Sequence, residues 1–183
     1  NNVAVGYKAG YANTTGANNN FFGYQAGQSN TTGGSNTAMG HNPFSFNTTG
    51  YGNCAFGIQT LYKNTTSNYN TAVGYNALTE NTTGTENVSI GGFTLDANVT
   101  GDYNTAVGTS ALGYQAGYSN TTGAALTAVG YVALTNNTTG NYNTAFGYEA
   151  GKGNTTAQLN TFIGFEAGRG TTTGAINTIV GGR

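Results

Sequence analysis

Hydrophobic and polar residues along this chain recur in phase every 17 positions. A large apolar residue stands directly before a glycine, a small residue precedes it, and Thr, Val or Cys usually comes before that, as in "TAVG" at 71–74. This alternation among β-prone residues predicts a short strand with one buried face. The glycines that end the phrase, called reference glycines below, are Gly6, Gly23, Gly40, Gly57, Gly74, Gly91, Gly108, Gly130, Gly147, Gly164 and Gly181.

The spacing of these glycines predicts one continuous repeat array over residues 1–183. Nine of the ten intervals are 17 residues and the one from Gly108 to Gly130 is 22, so five residues are inserted near 108–112. We expect residues 108–112 to bulge out, while "YQAG" at 114–117 keeps the place of the regular segment. The alternative is a kink, or a transition between two packings of the rod. A fixed period of this length is typical of solenoids, in which each unit packs only against its neighbours.

A second extended run follows each reference glycine, for example "YNAL" at 75–78 and "YEAG" at 148–151. We interpret this run as a second strand and the "NTTG" after it as a turn, because Asn and Gly adopt the backbone conformations that turns require. The predicted fold is therefore all-β. It is a β-solenoid, or parallel β-roll, of ten 17-residue coils plus a partial one, with rungs roughly 4.8 Å apart.

An asparagine lies four residues before the reference glycine in ten of the eleven repeats, and Leu126 interrupts the series. Side-chain amides stacked at the rung spacing hydrogen-bond along the axis, which predicts a structural ladder. The alternative is a row that binds a repetitive ligand. The members are Asn2, Asn19, Asn36, Asn53, Asn70, Asn87, Asn104, Asn143, Asn160 and Asn177.

A second asparagine opens each "NTT" turn and forms an N-x-T acceptor sequence for N-glycosylation. We place these asparagines at an exposed turn, where either glycans or ordinary turn chemistry accounts for them. They are Asn13, Asn30, Asn47, Asn64, Asn81, Asn98, Asn120, Asn137 and Asn154.

Composition argues against several classes of function. Five basic and six acidic residues give a net charge of −1, which provides no basic surface for nucleic acid, and no apolar run is long enough to insert in a membrane. His41 and Cys54 replace ordinary repeat residues without a third group to orient them, so we expect no enzyme, no metal and no cofactor. The acidic residues fall in turn or exposed columns, and Glu149 and Glu166 would stack there as a solvated charge cluster.

Two phrases, "NTAVGYNAL" at 70–78 and "NVSIGGFTL" at 87–95, resemble the head-domain repeats of trimeric autotransporter adhesins and related bacterial and phage surface fibres. The family's strand reads Asn-Ser-Val-Ala-Ile-Gly, whereas most units here have Thr in place of Val and are longer. The resemblance covers the whole chain. It implies a left-handed roll in a homotrimeric bundle.

A thin roll buries little apolar surface, and we expect the small Ala column to leave a smooth outer strip against which other copies pack. The competing arrangement is a single roll with both strips solvated. We therefore predict a structural or adhesive segment of an extracellular fibre on a cell or virion surface, and, since both ends fall inside a repeat, a piece of a longer protein. Its partners would be copies of itself or cell-surface carbohydrate. The alternatives are a carbohydrate-binding surface built on rows such as Tyr131, Tyr148 and Phe165, and an ice-binding solenoid.

Overall fold

The computed structural model describes residues 1–111 and 120–182, and over these ranges it contains eleven short strands and no helix. All eleven strands form one parallel sheet in chain order. The predicted all-β solenoid is confirmed. The strands are β1 (Val3–Val5), β2 (Asn20–Phe22), β3 (Thr37–Met39), β4 (Cys54–Phe56), β5 (Thr71–Val73), β6 (Val88–Ile90), β7 (Thr105–Val107), β8 (Thr127–Val129), β9 (Thr144–Phe146), β10 (Thr161–Ile163) and β11 (Thr178–Val180).

Strand pairing keeps equivalent residues of successive coils directly above one another. Thr71 of β5 pairs with Val88 of β6, an offset of 17 residues (88 − 71). Between β7 and β8 the offset is 22 (127 − 105), because Thr105 pairs with Thr127. The five extra residues therefore enter the array without changing the register of the sheet.

The first part of the predicted bulge holds a regular rung. The backbone N–H groups of Gly108 and Ser110 donate to carbonyl oxygens of the preceding coil at 2.9 and 3.1 Å. The prediction that the chain leaves the stack here is wrong for residues 108–111, because their backbone groups are bonded as in every other coil. Leu112 and the "YQAG" segment at 114–117 lie outside the described residues.

The segment after each reference glycine is an arc of turns, so the predicted second strand is wrong. Asn76 and Leu78 both have a φ of 54°, and the same two positions have positive φ in each of the other coils described at both positions. A left-handed residue at every second position bends the chain, at a cost of about 1–2 kcal/mol for each non-glycine. Hydrogen bonds to both neighbouring coils help to offset this cost, with Asn76 donating to Ile58 and Leu78 to Thr94, both at 3.0 Å.

The two faces of each strand are reversed relative to the prediction. In β5 the central Ala72 is fully buried, while Thr71 and Val73 point outward. The central residue is likewise buried in every strand from β2 to β10. The physical reason is the width of the coil: the arc already places a buried side chain, Leu78, in the interior, which leaves room for only a small residue opposite.

Side-chain volume in the core is exchanged between the strand and the arc. A Cβ atom added to Gly10 would lie 3.7 Å from the Cβ of Ala4, which shows that the fourth residue after the reference glycine faces the centre of the strand. Where the strand carries Phe162, the arc carries Gly168, and a Cβ there would overlap the ring. The same ring also covers Gly151 of the preceding coil, so one Phe fills the interior of two coils.

Candidate functional surfaces

The asparagines at the strand starts lie inside the roll and connect consecutive coils. Asn36 is fully buried, its Oδ1 accepts from the backbone N–H of Asn53 at 2.9 Å, and its Nδ2 donates to the carbonyl of Gly50 at 2.8 Å. At the break in the series, the N–H of Leu126 still donates to Oδ1 of Asn104 at 3.0 Å. The amides therefore bind mainly backbone groups of the next coil.

Burial decides what this first ladder can do. Its members from Asn19 to Asn160 are buried, and only the end members Asn2 and Asn177 reach solvent. A buried row offers no surface to a repetitive ligand, whereas each amide satisfies backbone groups that would otherwise be left without partners. The arrangement supports a structural role.

The asparagines of the NTT turns form a second ladder, which we did not predict. Nδ2 of Asn98 donates to Oδ1 of Asn81 at 2.9 Å, and Asn81 donates in turn to Asn64 at 3.2 Å. Eight such bonds join the nine asparagines from Asn13 to Asn154. The signal was present in the sequence, since the same residue recurs at one column of every turn but the last.

The predicted exposure of these turn asparagines is wrong for all but Asn13, which is half-buried. Their Nδ2 atoms donate within the roll, as Asn47 does to Asn30 at 2.6 Å and to Gly50 at 3.1 Å. A folded coil therefore presents no free amide nitrogen to an oligosaccharide. The fully buried members are Asn30, Asn47, Asn64, Asn81, Asn98, Asn120, Asn137 and Asn154.

The two threonines of each turn differ in their contacts. In most coils the first is half-buried and binds the next coil, as Thr48 does when its hydroxyl donates to the carbonyl of Thr65 at 3.1 Å. The second is exposed in every coil. We call this column the threonine row: Thr15, Thr32, Thr49, Thr66, Thr83, Thr100, Thr122, Thr139, Thr156 and Thr173.

The outward side of the eleven-stranded sheet, called the outer face below, carries a large apolar residue on every strand. One file is mostly Thr, and beside it runs a file of large apolar residues with exposures such as 46% for Met39, 41% for Ile90 and 57% for Phe146. The outward pattern is thus Thr-x-apolar, whereas an ice-binding array calls for Thr at both positions. The second file comprises Val5, Phe22, Met39, Phe56, Val73, Ile90, Val107, Val129, Phe146, Ile163 and Val180.

Aromatic rings in the column after the reference glycine stack in two separate groups, one near each end of the chain. The ring of Tyr148 lies 5.5 Å from Tyr131 and 5.1 Å from Phe165, with interplanar angles of 17° and 9°. Both faces of Tyr148 are therefore covered, and only its edge is free. This weakens the predicted sugar platform, because a sugar stacks on the face of a ring.

The chemically reactive residues are tied into the repeat. His41 stacks on Tyr24 at 4.8 Å, and Cys54 lies on the outer face. Tyr69 is edge-on to Tyr51 at 5.0 Å, and a hydrogen bond between the two phenols raises the pKa of Tyr69. No three His, Cys, Asp or Glu side chains come together as a metal site within the described ranges.

The predicted charge cluster of Glu149 and Glu166 is less solvated than we expected. Glu149 is buried, and its carboxylate binds Lys152 at 2.9 Å and Arg169 of the next coil at 2.7 Å. Arg169 also approaches Glu166 at 3.5 Å. Arg169 therefore bridges the two stacked carboxylates, and the cluster connects adjacent coils.

Comparisons of the chain with protein-family models, with curated proteins and with solved structures found no match. In the described part of the chain no helix is long and apolar enough to cross a membrane. The resemblance to adhesin heads thus rests on the repeat phrases, and the functional argument rests on the outer face, the two ladders and the threonine row.

Proposed function

We propose that the chain is a structural segment of an extracellular fibre, in which three copies of the roll pack side by side through their outer faces. The observation that carries this proposal is the outer face itself. Soluble monomers rarely expose contiguous apolar patches larger than a few hundred Å². Here a file of Val, Ile, Met and Phe runs over all eleven strands; seven of its members are exposed, and Phe22, Phe56, Val107 and Val129 are half-buried.

The size of the outer face sets what it contributes to an interface. Ten rung intervals of about 4.8 Å make it about 50 Å long, and the three-residue strands make it about 10 Å wide, or roughly 500 Å². Stable interfaces bury about 800 Å² on each partner, so side chains beside the strands must add to the contact. The number of copies, three, comes from the resemblance to trimeric adhesins.

A fibre also needs a stiff shaft, and the interior provides one. Each coil is connected to the next by backbone bonds, by the strand-start amides and by the turn amides, with Asn36 and Asn81 as typical members. Buried polar groups that are fully paired make such a packing specific. The rod thus has the properties expected of a spacer that holds a binding region away from a surface.

Light scattering on the protein with its natural flanking residues tests the assembly. We expect a mass of three chains, and a lower mass after Val73→Lys together with Val107→Lys, which place charge on two alternate rungs of the outer face. The matched control is Thr66→Lys with Thr100→Lys on the threonine row, which should remain trimeric. A single-chain mass for the unaltered protein, or equal dissociation of both variants, would contradict the proposal.

Cys54 provides a second test without any mutation. It is the one cysteine of the chain and lies on the outer face in β4. If parallel copies pack in register about a common axis, their Cys54 side chains lie at one height near that axis. A short bismaleimide should then join chains in high yield, whereas Cys moved to the threonine row (Cys54→Thr with Thr66→Cys) should cross-link poorly.

Location and adhesion require separate measurements. Antibodies against the repeat should label intact cells or virions without permeabilisation, and staining only after lysis would contradict the extracellular assignment.

A glycan array tests the carbohydrate alternative. Binding retained after Tyr131→Ala and Phe165→Ala, the two ends of the ring stack, would show that the aromatic row is not the contact.

A further inference from the structure

The threonine row has a uniformity that packing does not explain. All ten of its members are Thr, although each is exposed. Exposed positions ordinarily tolerate many residue types, as the column three residues further along the chain does, where eight of the ten members are exposed. That column reads Asn18, Ser35, Gly52, Tyr69, Glu86, Tyr103, Ala125, Tyr142, Leu159 and Ile176.

The N-x-T acceptor pattern does not account for the row either. In the last turn Thr171 replaces the asparagine, yet Thr173 is retained. In an earlier turn Val99 replaces the first threonine, yet Thr100 is retained. The row therefore persists when either of its neighbours in the turn is lost, which indicates a role for its own side chain.

The hydroxyls of the row are also the ones left free by the fold. Hydroxyls of the first threonines donate to carbonyls of the next coil, as Thr31 does to Thr48 at 2.9 Å and Thr82 to Val99 at 3.1 Å. Side chains of the row make no hydrogen bond within the described residues. Each rung thus offers one accessible, unpaired hydroxyl in almost the same local sequence and in the same geometry.

We propose that the threonine row is a file of O-glycosylation sites. The Oγ atom of a row threonine attacks the anomeric carbon of a nucleoside-diphosphate sugar. The bond from that carbon to the phosphate oxygen breaks, the nucleoside diphosphate leaves, and the hydroxyl proton passes to a base of the transferase. Because the rungs repeat, an enzyme that accepts one site accepts its neighbours, and the sugars form a continuous polar edge on the rod.

Peptide mass spectrometry with electron-transfer fragmentation, on protein isolated from the cells that produce it naturally, tests the proposal. We expect turn peptides to be heavier by whole monosaccharide masses, with every addition on the second threonine. Unmodified masses for all turn peptides would overturn the proposal. Sugars on the first threonines or on the turn asparagines would overturn it as well.

A matched pair of variants made in the same cells sharpens the test. Thr66→Val with Thr83→Val removes two row hydroxyls and should lower the maximum number of sugars by two. Thr65→Val with Thr82→Val removes two first-threonine hydroxyls and should leave that number unchanged, although it deletes two inter-coil hydrogen bonds. Equal losses in both pairs would show that the effect is structural and would refute the assignment.

A serine variant distinguishes loss of the hydroxyl group from loss of the folded structure. Thr66→Ser with Thr83→Ser keeps the nucleophile and should keep the sugars, even if the valine variants fold poorly. Loss of sugars from the serine variant with an unchanged circular dichroism spectrum would also count against the proposal.

Discussion

Coils in the middle of the rod and coils near its ends fill the same interior in opposite ways. In the middle, the strand contributes a small residue such as Ala72 and the arc a large one such as Leu78. Near the ends, Phe21 and Phe162 come from the strand and the arc has glycine instead. The comparison shows that each coil needs a certain side-chain volume in its interior, and that either the strand or the arc can supply this volume.

The largest effect is expected from removing a strand phenylalanine. Phe162→Ala leaves both Gly151 and Gly168 uncovered, so the cavity spans two coils and the loss should be about 3–5 kcal/mol. Leu78→Ala empties one coil and should cost less, within about 2–5 kcal/mol. Urea unfolding together with amide hydrogen exchange, resolved by coil, measures both losses; equal losses would contradict the two-coil role of Phe162.

A pair of compensating substitutions tests whether the strand and the arc can exchange the large core side chain. Gly168→Leu alone should be strongly destabilising, because its side chain overlaps the ring of Phe162. Adding Phe162→Ala should recover much of that loss, since Leu78 already adopts the required φ of 54° in the middle of the rod. The interaction energy of the double-mutant cycle gives the recovery. If the free energy lost by the double variant equals the sum of the losses of the two single variants, the strand and the arc cannot exchange the large side chain.

The asparagine ladder of the turns should not distinguish the two kinds of coil. Asn30 belongs to a coil with glycine in its arc and Asn81 to one with leucine, yet each is buried and bonded to the turn asparagines of both neighbouring coils. Either one replaced by Ala leaves buried partners unpaired and should cost about 1–3 kcal/mol. Asn13→Ala at the half-buried end of the ladder serves as the control and should cost less. A clear difference between Asn30→Ala and Asn81→Ala in the urea midpoint would show that the core filling affects the ladder.

The smallest effect is expected from the exposed ion pair in the middle of the rod. Lys63 and Glu80 lie 2.6 Å apart, but both side chains are largely solvated. Lys63→Ala should change the free energy of unfolding by less than about 1 kcal/mol. Arg169→Ala should cost more, because Glu149 is buried and loses one of its two cations. Repeating both urea titrations in high salt should abolish the first difference and leave most of the second.

The sequence by itself determined the period, the all-β character and the stacking of equivalent residues. These features come from recurrence alone, because a chain that repeats one pattern every 17 residues satisfies its backbone most simply by pairing each unit with the next. The column of asparagines before the reference glycine could also be read directly. The spacing of the reference glycines also showed that five residues are inserted, but it did not show that residues 108–111 remain in the rung.

Only the tertiary structure decided which side of the strand faces inward and which conformation the residues after the reference glycine adopt. Alternation of period two shows that the faces of β5 differ but does not say which one is buried. That choice depends on the width of the coil, which the arc sets through the left-handed conformations of Asn76 and Leu78. Local preference argues against such a conformation in Leu78, although Asn76 adopts it more readily, and the bonds to adjacent coils that favour both exist only in the stack. The asparagines of the NTT turns, such as Asn81, are also buried in this narrow interior, although their residue type by itself predicts an exposed turn.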